Sequence, residues 1–166
     1  MSNLILIGMP GSGKSTFGRK LAGARHLDFI DTDDLIESHF GCRLQAVVDE
    51  KGVDFMREFE AQTICQVGAN ASVIATGGSV VYSDRAMQHL STLGQIIYLR
   101  ISLSTFLRRV SGALERGLFK PPSMTLPELY QERKNLYEQW ADLKLENNLP
   151  LTDHQFDVLN AQIGLE

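Results

Sequence analysis

Short, mostly apolar runs alternate along the chain with longer stretches in which apolar residues recur every three or four positions. Each run has the length of a strand in a parallel sheet, and the runs lie at residues 4–7, 28–31, 72–76, 95–101 and 142–146. The longer stretches have helical spacing, as in residues 14–25, where Phe17, Leu21 and Ala24 fall on one face. This alternation predicts an α/β fold with a parallel sheet and helices on both of its faces.

Polar residues and glycines predict where several of these helices begin and end. Thr32 or Asp33 is placed to cap the helix after the second strand, Gly41 to end it, and Thr152 to cap the last helix. The stretch at residues 111–124 differs, because it contains two glycines and two prolines and has no clean period. A loop of that length is uncommon in a compact domain and is typical of active-site lids, so we expect a mobile lid here.

Residues 8–16, with the sequence GMPGSGKST, lie between the first strand and the first helix and fit the P-loop pattern G-x-x-x-x-G-K-[ST]. Glycines let backbone N–H groups close around phosphate oxygens, and the start of the helix adds partial positive charge. Lys14 is then placed to reach the β- and γ-phosphates, and the Ser15 hydroxyl is placed to ligate Mg²⁺. We therefore predict a nucleotide site formed by Gly11, Ser12, Gly13, Lys14, Ser15 and Thr16. A glycine-rich turn that binds nothing is the alternative, but it gives Lys14 and Ser15 no reason to follow the turn.

Two carboxylates, Asp31 and Asp33, follow the second predicted strand. Ligands of α/β sheets bind beyond the carboxyl ends of the strands, so we expect the ends of the first three strands to share one site. If residues 31–33 are extended, both side chains point the same way. One carboxylate would hold Mg²⁺ through water, and the other would orient an acceptor hydroxyl and take up its proton. The alternative is that both are helix-capping or first-turn acids, which the helix dipole favours.

Three later features each allow a functional and an ordinary interpretation. Arg57 and Glu60 share a helix face, which suits a surface ion pair as well as a binding site. Gly77 and Gly78 after a buried strand predict backbone that approaches a ligand, although a simple turn has the same sequence. Arg116 in the predicted lid is placed to close on a transferred phosphoryl group or to remain solvated.

The overall composition narrows the possible functions. A chain of 166 residues is most simply one domain, 1–166, and a net charge of −4 argues against a nucleic-acid-binding surface. No run approaches the roughly 18 apolar residues of a membrane span. Only three residues precede the first predicted strand, so we expect no signal peptide. Cys42 and Cys65 form neither a disulfide framework nor a metal motif. We expect a cytoplasmic, monomeric enzyme that binds neither nucleic acid nor membrane.

The order and spacing of these motifs resemble the shikimate kinase family over nearly the whole chain. The matching pieces are the P-loop, Asp31-Thr32-Asp33, Gly52 followed by Arg57 and Glu60, Thr76-Gly77-Gly78, Arg116-x-Leu118 and Arg133-x-x-x-Tyr137. The resemblance implies a P-loop kinase fold like that of nucleoside-monophosphate kinases, a single-domain three-layer α/β/α arrangement with a five-stranded parallel sheet. It also implies transfer of the γ-phosphoryl group of ATP to the 3-hydroxyl of shikimate, with Mg²⁺, in aromatic amino-acid biosynthesis.

The resemblance implies roles for the residues around the phosphates. Lys14 matches the phosphate-binding lysine, and Ser15 matches the hydroxyl that ligates Mg²⁺. Asp31 matches the acid that reaches Mg²⁺ through water, and Asp33 matches the acid that binds acceptor hydroxyls and acts as the base. Arg116 matches the lid arginine, which makes Lys14, Asp33 and Arg116 the expected catalytic residues.

The resemblance also implies which residues bind the acceptor and the adenine. Arg57 and Arg133 match the pair that grips the acceptor's carboxylate, a group that a guanidinium fork suits, and Glu60 matches the residue that positions Arg57. Gly77 and Gly78 match the start of a triple-glycine loop against the substrate. The substrate-binding helices correspond to residues 32–60. Arg109 matches a residue that packs on adenine, and residues 147–151 fall where the family has its adenine loop.

Two residues depart from the family pattern. Ser79 stands in place of the third glycine, where serine would be strained if the backbone needs a positive φ. The lid reads Arg116-Gly117-Leu118 where Arg-Pro-Leu is usual, which loosens the backbone beside the arginine. A kinase for another small hydroxylated acid such as gluconate, or for a nucleoside monophosphate, therefore stays an alternative, as does an ATP-binding module without catalysis.

Overall fold

The computed structural model of the chain describes residues 3–111, 118, 120 and 123–164. Within these residues there are five β-strands, eight α-helices and a 3-10 helix at Val80–Tyr82. The strands are β1 (Asn3–Ile7), β2 (Asp28–Asp31), β3 (Ser72–Ala75), β4 (Gly94–Arg100) and β5 (Leu143–Glu146). The helices are α1 (Lys14–Arg25), α2 (Thr32–Phe40), α3 (Leu44–Lys51), α4 (Val53–Gln66), α5 (Asp84–Leu93), α6 (Leu103–Ser111), α7 (Leu126–Trp140) and α8 (Asp153–Gln162).

The five strands form one parallel sheet in the order β2-β3-β1-β4-β5. β1 is central, and its residues 4–6 pair with residues 73–75 of β3 and with residues 95–97 of β4. Parallel neighbours need crossover connections, which the helices between the strands provide. The sheet predicted for this chain is confirmed, and β1, β2 and β3 lie side by side in it.

Helices cover both faces of this sheet because side chains alternate along each strand. Leu4 and Leu6 of β1 pack into a core cluster with buried residues of α1 and α8. Ile5 and Ile7 point the other way, into a larger cluster with residues of α4, α5, α6 and α7. The molecule therefore has the three layers that were expected, with two separate cores on either side of the sheet.

Helices α2 and α3 form a smaller unit beside α4. Ile36, Leu44, Val47 and Met56 make a third buried cluster that joins these three helices. This cluster fixes the position of α2, which follows directly from the carboxyl end of β2. Within the described ranges 3–111 and 123–164, no helix is long and apolar enough to cross a bilayer.

Most of the predicted helix ends are confirmed, and two details are wrong. Gly41 ends α2 with a φ of 66°, and the Thr152 side chain caps α8. The cap of α2, however, is Asp31, whose Oδ1 accepts a hydrogen bond from the backbone N–H of Asp33 at 3.1 Å. Thr32 is already helical, and its hydroxyl accepts from the N–H of Gly77 instead. On α1, Ala24 is exposed although it was assigned to the buried face.

Candidate active site

The carboxyl ends of β1, β2 and β3 meet at one cavity of about 490 Å³. Its wall includes most of the residues that the sequence singled out, namely Gly11, Gly13, Lys14, Ser15, Thr16, Asp33, Gly77, Gly78, Arg109 and Arg133. Two groups of residues meet at this cavity. We call residues 8–16 the P-loop side, and we call the group formed by Asp33, Arg57, Glu60, residues 77–79, Tyr82 and Arg133 the arginine side. Of the arginine side, Asp33, residues 77–79 and Arg133 line the cavity.

The P-loop side has the backbone conformation that its glycines permit. Gly11 and Gly13 have φ values of 76° and 92°, which favour glycine, and a Cβ at Gly13 would lie 2.8 Å from the Asn147 amide nitrogen. Ser12 donates its N–H to the carbonyl of Met9 at 3.0 Å and closes the turn ahead of α1. The loop therefore delivers the first turn of α1 to the cavity, with the N–H groups and the dipole that bind anions.

Lys14 is buried at the start of α1. Its Nζ donates hydrogen bonds to the carbonyl oxygens of Gly8 and Met9 at 2.8 and 3.0 Å. Burial lowers the pKa of Lys14 to about 8, while the carboxylates of Asp33 and Asp31 oppose this shift. Lys14 is therefore mostly protonated at neutral pH and brings a positive charge to the cavity.

Ser15 and Asp31 are paired at the edge of the cavity. Ser15 Oγ donates to Asp31 Oδ2 at 2.6 Å, while Oδ1 of the same carboxylate caps α2. Asp31 thus both caps a helix and contacts the P-loop side, which the two interpretations of its spacing had treated as alternatives. A second cavity of about 370 Å³ has Ser15, Asp31 and Asp33 in its wall.

Asp33 reaches the site from the first turn of α2. The expectation that residues 31–33 are extended is wrong, because the helix already begins at Thr32. Even so, Asp33 lines the first cavity and, with Asp31, the second. Burial raises the pKa of Asp33 to about 7, and the nearby carboxylates of Glu60 and Asp31 add to the shift. Asp33 is therefore placed to take up or release a proton near neutral pH.

Gly77 is the residue at which two carboxylates come together. A Cβ at Gly77 would collide with Glu60 Oε1 and would lie 2.8 Å from Asp33 Oδ1. Burial raises the pKa of Glu60, while the hydrogen bond from Ser79 and the charge of Arg133 oppose that shift. A side chain at Gly77 would therefore displace one of the two acids, and the ordinary turn considered for this sequence does not account for that packing.

Ser79 fits its position without backbone strain. Its φ is −93°, so the strain expected for a serine at the third glycine position is absent. The Ser79 hydroxyl is buried in the cavity wall and donates to Glu60 Oε2. Glu60 is therefore held by Ser79, and within the described residues it makes no ion pair with Arg57.

Arg133 and Arg57 approach the site in different ways. Arg133 is 1% exposed and lines the cavity, and its Nε donates to the Tyr82 hydroxyl oxygen at 3.4 Å. Arg57 does not line the cavity, and its guanidinium lies over the ring of Tyr82 instead. Sequence reasoning missed Tyr82 because the 3-10 helix at Val80–Tyr82 was not predicted. The apolar run Val80-Val81-Tyr82, directly after the glycines, was the available signal.

Arg109 joins the P-loop side to the turn after β5. Its guanidinium donates to the carbonyl of Gly11 at 3.0 Å and to the carbonyl of Asn147 at 3.1 Å. Asn147 in turn donates Nδ2–H to the carbonyl of Ser12 at 2.7 Å, while its buried Oδ1 has no hydrogen-bond partner in the described part of the chain. Asn147, Leu149 and Leu151 line the cavity, so this turn lies beside the P-loop side. Its contact residues were not identified from the sequence because residues 147–151 contain no motif that marks them.

The predicted lid falls largely outside the described residues. Arg116, expected to be its arginine, and the neighbouring Gly117 lie in residues 112–117, which are not described. Leu118 of the same segment is described, lines the cavity and packs on the larger core cluster. The segment therefore reaches the cavity at Leu118, and the role of Arg116 stays a prediction.

Comparisons with known proteins agree with the geometry of this cavity. The family model described as shikimate kinase matches residues 10–161. A shikimate kinase from Sulfurihydrogenibium sp. (strain YO3AOP1) is 36% identical over 138 residues, which are 82% of this chain and 83% of that protein. A shikimate kinase from Francisella tularensis subsp. novicida (strain U112) is 35% identical over 150 residues, which are 88% of this chain and 85% of that protein.

A solved structure of similar fold is the shikimate kinase from Acinetobacter baumannii in complex with shikimate. It has a TM-score of 0.86 to this chain at 27% identity, and the match covers 97% of this chain and 92% of that chain. The family match extends from the P-loop to the last helix and includes Asp33, Arg57, residues 77–79 and Arg133. On this evidence the chain belongs to the shikimate kinase family.

Proposed function

We propose that this protein transfers the γ-phosphoryl group of ATP to the 3-hydroxyl of shikimate and forms shikimate 3-phosphate. Shikimate kinases use ATP as the phosphoryl donor. The observation that carries the proposal is the single cavity that the P-loop side shares with Asp33 and Arg133. A loop for phosphates, a carboxylate that titrates near neutral pH and a buried arginine together suit phosphoryl transfer to a hydroxyl of a small acid.

The P-loop side would bind the phosphates of ATP. Lys14 donates at present to the carbonyl oxygens of Gly8 and Met9, and phosphate oxygens would replace these weaker acceptors. Gly11, Ser12, Gly13 and Thr16 would contribute N–H groups at the start of α1. Arg109 and the turn at residues 147–151 border the space next to this loop and would enclose the adenine.

Ser15 and Asp31 fit a Mg²⁺ ion. Their hydroxyl and carboxylate oxygens lie 2.6 Å apart beside the P-loop side, and Mg²⁺ usually takes one or two protein oxygens plus waters and phosphate oxygens. No group of three or more His, Cys, Asp or Glu residues that could hold a metal was found in the described ranges, so a site shared with the nucleotide suits this chain. Ser15 would bind the ion directly and Asp31 would bind it through water. When bound, the ion would neutralise charge on the phosphates.

Asp33 would orient the attacking hydroxyl and accept its proton. Because burial and neighbouring carboxylates raise its pKa to about 7, the ionised form is both available and basic enough near neutral pH. Arg133 and Arg57 would bind the carboxylate of the acceptor, and the backbone of Gly77 and Gly78 would contact its ring. This arrangement places the acceptor between Asp33 and the P-loop side, where the reaction depends mostly on positioning.

Arg116 would complete the site by stabilising charge on the transferred phosphoryl group. We expect Arg116→Ala to lower kcat much more than it weakens ATP binding, because that charge develops mainly in the transition state. Steady-state kinetics and ATP titration of the variant measure the two effects separately. An unchanged kcat would remove Arg116 from the proposed mechanism.

A coupled ADP-release assay with Mg·ATP tests the proposed function directly. Shikimate, quinate, gluconate and AMP are compared as acceptors at equal concentrations, with phosphorylated product identified by mass spectrometry. We expect turnover on shikimate that exceeds turnover on each other acceptor by at least about a hundredfold. Faster turnover on gluconate or AMP would assign a different acceptor, and ATP binding without turnover on any acceptor would favour a module without catalysis.

We further propose that the enzyme is a monomer in the cytoplasm. Cys42 and Cys65 are free thiols in the structure, which suits a reducing compartment. Sedimentation analysis at assay concentration measures the oligomeric state, and a stable dimer would contradict the first part of the proposal.

A further inference from the structure

We propose that Tyr82 is a positioning residue for the acceptor's carboxylate, because its ring holds the guanidinium groups of both Arg57 and Arg133 before the acceptor binds. This rests on the proposed function, in which the two arginines bind that carboxylate. Tyr82 is half-buried, and it is the last residue of the short 3-10 helix that follows the loop at residues 77–79, which lines the cavity.

Both arginines pack on the same aromatic ring. The guanidinium carbon of Arg57 lies 4.3 Å from the centroid of the Tyr82 ring, and that of Arg133 lies 5.3 Å from it. Both distances are within the range of cation–π attraction, which is stronger for groups removed from water, as the buried Arg133 is. The Tyr82 hydroxyl oxygen also accepts a hydrogen bond from Arg133 Nε. One side chain therefore contacts both groups of the proposed carboxylate clamp.

The like charges of the two arginines repel each other, and the ring attracts both guanidinium groups. Arg57 depends on the ring most, since its buried Nε has no hydrogen-bond partner and the guanidinium forms no ion pair in the described residues. Glu60 on the same helix attracts both arginines through its charge, while its Oε2 accepts the Ser79 hydroxyl. The ring face offers Arg57 an attractive surface that leaves its N–H groups available for a carboxylate.

The ring itself is fixed by its own contacts. The backbone N–H of Tyr82 donates to the carbonyl of Ser79 at 3.1 Å within the 3-10 helix. The Tyr82 hydroxyl donates to the Glu132 carboxylate, which is on α7 next to Arg133. Tyr82 therefore joins α4, which carries Arg57, to α7, which carries Arg133. A clamp that is arranged in advance loses less side-chain entropy when it binds its ligand.

Two substitutions separate the ring from the hydroxyl. Tyr82→Leu removes both ring contacts, and we expect the KM for shikimate to rise about tenfold while kcat and the KM for ATP change less than about twofold. Tyr82→Phe keeps the ring and removes only the hydroxyl contacts, and we expect its KM for shikimate to stay within about threefold of the unsubstituted enzyme. The conservative variant thus restores most of what Tyr82→Leu loses.

The preference for shikimate over an uncharged analogue can also be measured. A merely structural role of Tyr82 would leave this preference unchanged. Shikimate methyl ester lacks the carboxylate, so its KM should not depend on how the two arginines are held. We expect Tyr82→Leu to reduce the preference for shikimate over its methyl ester about tenfold. Phe55→Leu is the matched control. Phe55 is a partly exposed ring whose centroid lies 5.5 Å from Lys51 Nζ, and in the described residues it makes no cation–π contact with Arg57 or Arg133.

The inference and the proposed function fail in different ways. If the unsubstituted enzyme does not phosphorylate shikimate, the proposed function is wrong, and with it the ligand assigned to the clamp. If it does so normally and Tyr82→Leu keeps the same KM and the same preference over the ester, Tyr82 has no positioning role. A Tyr82→Phe variant as impaired as Tyr82→Leu would also overturn the inference, because the ring would then not be the part that acts. Should Tyr82→Leu fold poorly by thermal melt, Tyr82→Trp, which keeps a cation–π surface, must retain the preference for shikimate.

Discussion

The P-loop side and the arginine side meet at one cavity, but the chain builds them differently. On the P-loop side, one continuous stretch turns back on itself, and Lys14 donates to carbonyls five and six positions away. On the arginine side, the charged groups come from α2, α4 and α7, and contacts join residues that are 19 and 51 positions apart. One side is a local backbone structure, and the other exists only when distant parts of the fold come together.

The two sides also differ in how they carry charge. The P-loop side offers backbone N–H groups and one buried ammonium, which donates to carbonyl oxygens of the same stretch. The arginine side buries Glu60 and Arg133 close to Asp33 and Arg57, and burying such groups is unfavourable unless each is paired or hydrogen-bonded. We infer that the P-loop side mainly sets the rate of phosphoryl transfer. We also infer that the arginine side selects the acceptor through Arg57 and Arg133, that its Asp33 contributes to the rate as the proposed base, and that burying these charges lowers the stability of the fold.

Lys14→Met should have the largest effect, because it removes the charge that the P-loop side places on the phosphates. We expect kcat to fall by at least about a hundredfold while the KM for shikimate stays within about threefold. Lys20→Met is the matched control on the same helix, because Lys20 pairs with Asp153 at the surface. A fall in kcat of less than tenfold, or an equal effect from Lys20→Met, would contradict the inference that the P-loop side mainly sets the rate of phosphoryl transfer.

Arg133→Lys should have the next largest effect, and this effect should be on the arginine side. The substitution keeps the charge but removes the planar fork, so we expect the KM for shikimate to rise about thirtyfold with little change in the KM for ATP. Arg85→Lys is the control, because Arg85 makes an exposed ion pair with Glu58. If both KM values rise together, the two sides are not separable, and Arg133 acts on the cavity as a whole.

The difference between the sides explains what the sequence alone could predict. The P-loop, α1 and β2 were predicted to the residue or nearly so, because apolar period, glycines and a contiguous motif all act locally. The resemblance implied a five-stranded parallel sheet, but the order of the strands was not predicted, since no local pattern states which strands pair. On the arginine side, Arg57 and Arg133 were found through the resemblance, and the spacing of Arg57 alone suited a surface ion pair as well as a binding site.

The differences lie where distant contacts decide the outcome. Strain at Ser79 was expected only if the backbone needs a positive φ there, and its φ of −93° and its bond to Glu60 depend on how α4 packs beside the loop. The role of Glu60 in positioning Arg57 stays a prediction, and the contact of the Arg57 guanidinium with the Tyr82 ring was not predicted. Neither contact has a signature in the sequence, because each joins helices and loops that only the folded sheet brings together.

Ser79→Gly tests whether the serine strains or supports the arginine side. Since Ser79 has no positive φ, glycine relieves no strain there, and the substitution removes a hydrogen bond to a buried carboxylate. We expect the free energy of unfolding to fall by about 1–2 kcal/mol, measured by urea denaturation. Ser79→Ala separates the hydroxyl from the backbone and should account for most of this loss. A glycine variant more stable than the unsubstituted protein would mean that the serine is strained after all.

Glu60→Gln should have the smallest effect of these variants, and unlike Ser79→Gly it should raise the free energy of unfolding. Burial raises the pKa of Glu60 above its ordinary value of 4.5, so the folded protein binds this proton more tightly than the unfolded chain does. The stability that this proton provides is present at low pH and is lost as pH rises through the raised pKa. Glutamine removes the cost of the buried charge, and we expect unfolding at pH 7 to require on the order of 1 kcal/mol more.

The stability gained by Glu60→Gln should depend on pH, and this dependence tests whether the buried charges of the arginine side lower the stability of the fold. We expect urea denaturation to show a difference between Glu60→Gln and the unsubstituted protein that shrinks as pH falls through the raised pKa of Glu60, because the folded Glu60 side chain then becomes neutral. Activity should decrease in the same variant, since the charge beside Asp33 and Arg133 is lost. In the Glu60→Gln background, Ser79→Gly should also lower the free energy of unfolding by less. The hydroxyl that it removes would there bond to a neutral amide and not to an anion. A Glu60→Gln variant that is less stable at pH 7 would show that the attraction between the Glu60 carboxylate and the arginines outweighs the free-energy cost of burying that carboxylate. The arginine side would then stabilise the fold as well as bind the acceptor.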